Sequence, residues 1–111
     1  TSELVGSVPR SILGVRQDTF FRTNLMLANA TESTVSVLVQ LVSTSGGVLG
    51  TKTVSLGPLS RAQYNVASDF GYSNLSDAVF VISSPTAGAA VGAYASVIDN
   101  ATADPRTLLP R

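Results

Sequence analysis

Apolar and polar positions alternate with a period of two along most of this chain, and the longest alternation of mixed character runs through FFRTNLMLAN, residues 20–29. Phe21, Thr23, Leu25 and Leu27 fall on one side, and Phe20, Arg22, Asn24 and Met26 on the other. That is the pleat of a strand with one wetter face, and it predicts a central strand. Residues 34–44 alternate more cleanly still, with Val35, Val37, Val39 and Leu41 against Ser36, Leu38, Gln40 and Val42. Their density of β-branched side chains argues for strand over helix at this length. The loop STSGG then predicts a hairpin whose glycines are free to take positive φ. Residues 48–56 return as its partner strand, with Lys52 expected on a solvated face.

Further along, Ala62, Tyr64 and Val66 alternate with Arg61, Gln63 and Asn65, and a short helical turn capped by Ser68 is expected to tuck Phe70 under the sheets. Strands at 77–84 and 89–99 are joined by the turn SPTAG. Upstream, Leu4, Val5 and Val8 precede Pro9, which has no ladder donor, so the first strand is expected to split at Val8-Pro9. Residues 100–111 read as a loop in which Leu108 and Leu109 dock. About seven strands at roughly ten-residue spacing, with no amphipathic helix, predict an all-β, immunoglobulin-like, two-sheet antiparallel sandwich.

Length and composition narrow this further. The 111 residues suit one domain spanning 1–111, and 44% hydrophobic content can fill one core without staples. With no Cys and no His, the inventory excludes a thiol nucleophile, a disulfide framework and a histidine base, and no cofactor is expected. Seven basic and seven acidic residues cancel, so no long-range field favours nucleic acid or an anionic membrane. Charged residues make up 13%, half the usual roughly 25%. Hydroxyls and amides must therefore wet the surface, which fits an extracellular module and leaves few charges to oppose self-association. No apolar run reaches membrane-spanning length. The opening TSELVG is not an export leader, so an exported protein is expected to begin here after leader removal or inside a longer chain.

Four segments carry a resemblance: VPRSI, TFFRTNLMLANAT, the Gly-Pro-Leu turn before RAQYNV, and AYASVIDNATADPRTLLP. Together they resemble a class of bacterial secreted or cell-surface β-sandwich modules. A pattern like VP…GxFWRTDLxLxNP opens that unit, and YxSVxDNxTGDPxxxxP closes it. The chain departs at Phe21 where Trp is frequent, at Asn24 for Asp, at Ala30 for Pro, and at Ala103 for Gly. The resemblance implies an immunoglobulin-like, often tandem, structural or adhesive unit with no catalytic residues to carry over.

Candidate chemistry is sparse. Asp99, Asn100 and Asp104, with Thr102, gather hard oxygens of the kind calcium takes, although the glycine and glutamate of an EF-hand loop are missing. Phe20, Arg22 and Asn24 could form a sugar platform, an aromatic face beside an Arg and an amide. Against that, ordinary burial favours Phe20 packing under the first strand and Arg22 pairing with Asp18 or a backbone carbonyl. Glycosylation triplets begin at Asn29, Asn74 and Asn100, all in predicted turns. Asp69 with Asp77, or a Ser with Lys52, are the only catalytic pairings on offer, and turn or strand-start roles explain them better. The final strand is small and uncharged on both faces, so Val91, Ala93, Ala95 and Val97 are the candidate protein interface. The sequence thus predicts a non-enzymatic structural or adhesive module that packs on a neighbouring domain or its own copy, with a carbohydrate-binding module as the alternative.

Overall fold

Two antiparallel sheets pack face to face in the computed structural model, which describes residues 4–6, 9–72, 74–102 and 104–110. The strands are β1 (Leu4–Val5), β2 (Arg10–Gln17), β3 (Phe21–Asn29), β4 (Val35–Ser43), β5 (Val48–Leu56), β6 (Arg61–Asn65), β7 (Leu75–Ser83), β8 (Val91–Asp99) and β9 (Pro105–Leu108). A single helical turn, α1 (Val66–Phe70), separates β6 from β7. One sheet runs β1-β8-β3-β6, with β9 also on β8, and the other β2-β7-β4-β5. The expected all-β two-sheet sandwich is therefore present, its seven principal strands being β2–β8 with β1 and β9 as short additions.

The inward rows follow the predicted alternation. Leu25 and Leu27 of β3, Val35, Val37, Val39 and Leu41 of β4, and Ala78, Phe80 and Ile82 of β7 are buried, together with Ile12 and Val15 of β2. Phe80 is the largest of them, and its ring meets Phe70 at 5.7 Å in a tilted arrangement. Phe70 is thus tucked under the sandwich as expected. The cap differs: Asn65, not Ser68, accepts from the N–H groups of Ala67 and Ser68, while Asp69 accepts the Asn65 N–H at 2.7 Å. An amide at the end of β6 can leave the ladder and start the turn at once, so the helix begins earlier than Ser68 would allow.

The first segment does divide between sheets. β1 pairs β8 and β2 pairs β7, with exposed Pro9 between them; Val8 lies outside the described residues. Gly14 takes φ 88 within β2, where the register slips past Leu13, and the Leu108 side chain sits over it. The tail is a correction. Residues 105–108 form β9 against β8, with Ala95 opposite Leu108, because Leu108 joins the core and draws its backbone alongside the β8 edge. Leu109 does not dock and stays half exposed.

Lys52 is a second correction. It shares the inward side of β5 with buried Val54 and Leu56, and its ammonium lies 5.6 Å from the centre of the Tyr64 ring. At the open flank between the two sheets the stem lies over the core rim and the charge reaches water. An inward-pointing lysine on a nine-residue edge strand also discourages edge-to-edge pairing.

Two buried polar residues hold β3 at its ends. Thr23 is fully buried; its hydroxyl donates to the Arg16 carbonyl and accepts the Arg16 N–H, and its N–H donates to Gln17 Oε1 at 3.1 Å. β6 stops opposite Asn24, so without Gln17 the Thr23 N–H would be orphaned in the interior. At the other end, Asn29 Nδ2 donates to the carbonyls of Ser33, Leu56 and Gly57, and Oδ1 accepts from the Thr31 N–H and hydroxyl. Replacing Asn29 by Ala strips these partners and is expected to cost about 2–4 kcal/mol of unfolding free energy in urea titration. A loss under about 0.5 kcal/mol would show that water replaces the amide freely.

Candidate functional site

With the inward rows committed to the core, the surface left by the fold is the outer face of the β1-β8-β3-β6 sheet. Strand register sets its rows: Met26 lies opposite Tyr94 and Gln63, and Ala28 opposite Gly92 and Arg61. Gly92 has no side chain and Ala28 only a methyl, so the floor drops between taller neighbours. The result is a groove of about 170 Å³, walled by Met26, Tyr94 and Leu109, with Arg61 at its rim. Tyr94 is 43% and Leu109 51% exposed. A Cβ added at Gly92 would meet Ala28 Cβ at 3.9 Å, an ordinary contact, so backbone crowding does not require a glycine here.

The interface expected at Val91, Ala93, Ala95 and Val97 does not lie on this surface. All four are buried between the sheets, where small Ala93 and Ala95 allow β2 of the opposite sheet to come close. The outward row of β8 is Gly92, Tyr94, Ser96 and Ile98. The signal was present in the sequence, since the two Val residues fall on one parity and the only aromatic on the other, with Arg61 two residues from the Gly-Pro turn.

The proposed sugar platform is dispersed. Phe20 is 68% exposed in the β2–β3 turn and packs under nothing. Arg22 Nη1 donates to Asn100 Oδ1 at 2.8 Å, and Asn24 Oδ1 accepts from Asn65 Nδ2 at 2.9 Å. Asp18, considered above as a partner for Arg22, is paired with Arg16, Nε to Oδ2 at 3.1 Å. Arg16 in turn lies 4.2 Å over the Phe21 ring.

The calcium candidates are likewise engaged. Asp99 Oδ1 accepts the N–H groups of Ala101 and Thr102, closing its own turn, and the Asn100 amide bridges Arg22 and the Thr19 carbonyl. Asp104 and Asp99 do line a common cleft of about 380 Å³, but Arg16 and Arg106 line it too, and opposing charge there works against cation binding. Among the described residues no three acidic side chains gather as a metal set. Asp69 serves the α1 cap and Asp77 lies exposed on β7, and Asn29, the first residue of one glycosylation triplet, is buried with its nitrogen fully engaged.

Two comparisons with known proteins find nothing: neither a protein-family model nor a curated protein matches the chain. Among solved structures, one described as the crystal structure of Thermotoga maritima 1070 is similar, with a TM-score of 0.69 at 9% sequence identity over 96% of this chain and 94% of that one. At that identity the likeness is one of fold: the bacterial protein shares the two-sheet sandwich.

Two measurements follow from these contacts. Calcium at about 10 mM is expected to move the melting temperature by less than about 1 °C; a larger rise would reveal a site the turn bonds conceal. Desolvation raises the pKa of Asp18, but hydrogen bonds from the Phe20 and Phe21 N–H groups and from Arg16 outweigh it and hold the carboxyl below its ordinary 3.8. A depressed folded pKa stabilises fully above the unfolded value and loses that contribution as pH falls through the folded one. The urea midpoint should therefore drop below about pH 4, and Asp18→Asn should flatten that limb. An unchanged limb in the variant would assign the acid loss to other carboxylates.

Proposed function

We propose that this chain is a non-catalytic structural or adhesive module of immunoglobulin-like type, belonging to a secreted or surface-displayed bacterial protein and acting through protein contacts. The observation that carries the reading is the contrast between its two kinds of side chain. The carboxylates and amides with chemical potential, Asp18, Asp69, Asp99, Asn29 and Asn65, are spent on caps and turns, while Met26, Tyr94, Leu109 and Arg61 are left around an open groove. A groove of about 170 Å³ is below the range of about 300–1,000 Å³ usual for small-molecule sites, and suits a single inserted side chain.

The immunoglobulin-like grouping is supported by the central pairings. Lettering β2–β8 as A–G gives the B–E and C–F neighbours of that fold, with the terminal strands A and G on exchanged sheets and D beside C instead of E. Export is supported by the hydroxyl-rich, weakly charged composition. The carbohydrate alternative draws on Tyr94, an exposed ring in the same cross-strand row as Gln63, with Met26 between them.

Filling the groove tests the reading without touching the core. Beads coated with the chain are expected to adhere to one another or to the producing cells more strongly than beads coated with Gly92→Leu, with both proteins equally stable to urea. Equal adhesion would contradict the groove as contact surface, and inhibition by millimolar simple sugars would favour the carbohydrate alternative.

A further inference from the structure

One turn beside the groove holds an exposed apolar side chain on a strained backbone. In Gly57-Pro58-Leu59-Ser60, closed by the Ser60 N–H on the Gly57 carbonyl at 3.2 Å, Leu59 adopts φ 54, the left-handed region. The third position of such a turn normally holds Gly or Asn, because a β-carbon there crowds the following carbonyl oxygen. The strained residue is also an apolar one left 68% exposed, so the core gains nothing from it. Backbone strain held at an exposed apolar side chain points to a use outside the chain.

The use fits the neighbouring groove. A cavity of about 150 Å³ lined by apolar side chains accommodates benzene, so about 170 Å³ accommodates one leucine side chain. The charges match as well. The Leu59 N–H donates to the Thr31 carbonyl at 3.0 Å, which places exposed Glu32 beside the Leu59 knob. Arg61 sits at the groove rim, and neither Glu32 nor Arg61 forms an ion pair among the described residues. Knob and groove rim are two residues apart, at most about 7 Å of extended chain. A surface with knob and hole so close together can be self-complementary about a two-fold axis, each copy giving what the other receives. A net charge of zero opposes no such pairing.

We infer that the outer-face groove receives Leu59 of a second copy of this chain, with Arg61 of each copy meeting Glu32 of the other in a closed, two-fold dimer. This rests on the interaction-module reading above and names its partner. The contact is small, so the dimer is weak and appears at high local concentration, as on a crowded surface.

Sedimentation equilibrium of the whole chain between about 10 µM and about 1 mM is the test. A reversible monomer–dimer equilibrium is expected, weakened about tenfold or more by Leu59→Asn, by Arg61→Glu and by Glu32→Arg, and restored in the Glu32→Arg/Arg61→Glu double variant. Leu59→Asn also separates folding from association, because asparagine tolerates the left-handed region and should raise the melting temperature while abolishing the dimer. A monomer at about 1 mM, open-ended oligomers, or a dimer indifferent to Leu59→Asn would each overturn the inference. If the chain is monomeric but N-acetyl-leucine shifts the Gly92 and Tyr94 amide resonances, the groove serves a different protein partner: self-pairing falls and the interaction-module reading survives. A monomer whose groove amides do not respond removes both.

Discussion

The architecture depends on where β3 keeps its two buried polar side chains. Apolar packing between two sheets is strong but non-directional, and it would tolerate sliding. Thr23 and Asn29 supply direction. Thr23 ties the start of β3 to β2 of the opposite sheet through Arg16 and Gln17, and Asn29 ties its end to the carbonyls of Leu56, the last residue of β5, and of Gly57 just beyond it. Each tie crosses between the sheets, and among the described residues no buried side-chain nitrogen or oxygen lacks a partner. In a low-dielectric interior a satisfied network of this kind fixes one arrangement, since any slip would strand its donors. Ser84 acts likewise at the far end of β7: its hydroxyl donates to the Ser36 carbonyl and its N–H to the Gly6 carbonyl.

With the sheets located, the rest of the chain deals with edges. β8 would be a long exposed edge, and β1 and β9 cover it from its two ends. The β5 edge stays open and is blunted by the inward Lys52. The outer face of the β8-β3-β6 layer is a different matter: nothing in the described chain covers its groove, and the strained Leu59 and its flanking charges lie beside it. The core rows and the open groove thus lie on opposite parities of the same strands.

Much of the fold was legible because strand alternation is a strict period. The inward residues of β3 and β4, the split first strand and the Phe70 anchor were all readable from residue type and spacing. What failed involved parity with weak contrast or contacts between distant segments. In β8 the small residues of both rows mask a faint signal, two Val against one Tyr, and the expected interface of Val91, Ala93, Ala95 and Val97 landed inside. Lys52 was judged by its charge, whereas its position at an open flank lets the stem lie inward. β9 exists because Leu108 finds Gly14 some ninety residues earlier, a pairing no local pattern encodes. The groove, likewise, is assembled from β3, β6, β8 and Leu109, and no single stretch announces it.

The claim that the β3 ties lock the sheets is tested most directly by native-state amide exchange followed by NMR in low denaturant. The account predicts that the Thr23 N–H, held by the Gln17 side chain, and the Asn29 N–H, held by the Ser60 carbonyl, exchange only through global unfolding, with the free energy and denaturant slope of the whole domain. The Phe20 N–H, bonded to Asp18 in an exposed turn, should exchange far faster. Exchange of Thr23 through a local opening, with little denaturant dependence, would contradict the account and leave apolar packing alone as the determinant of sheet alignment.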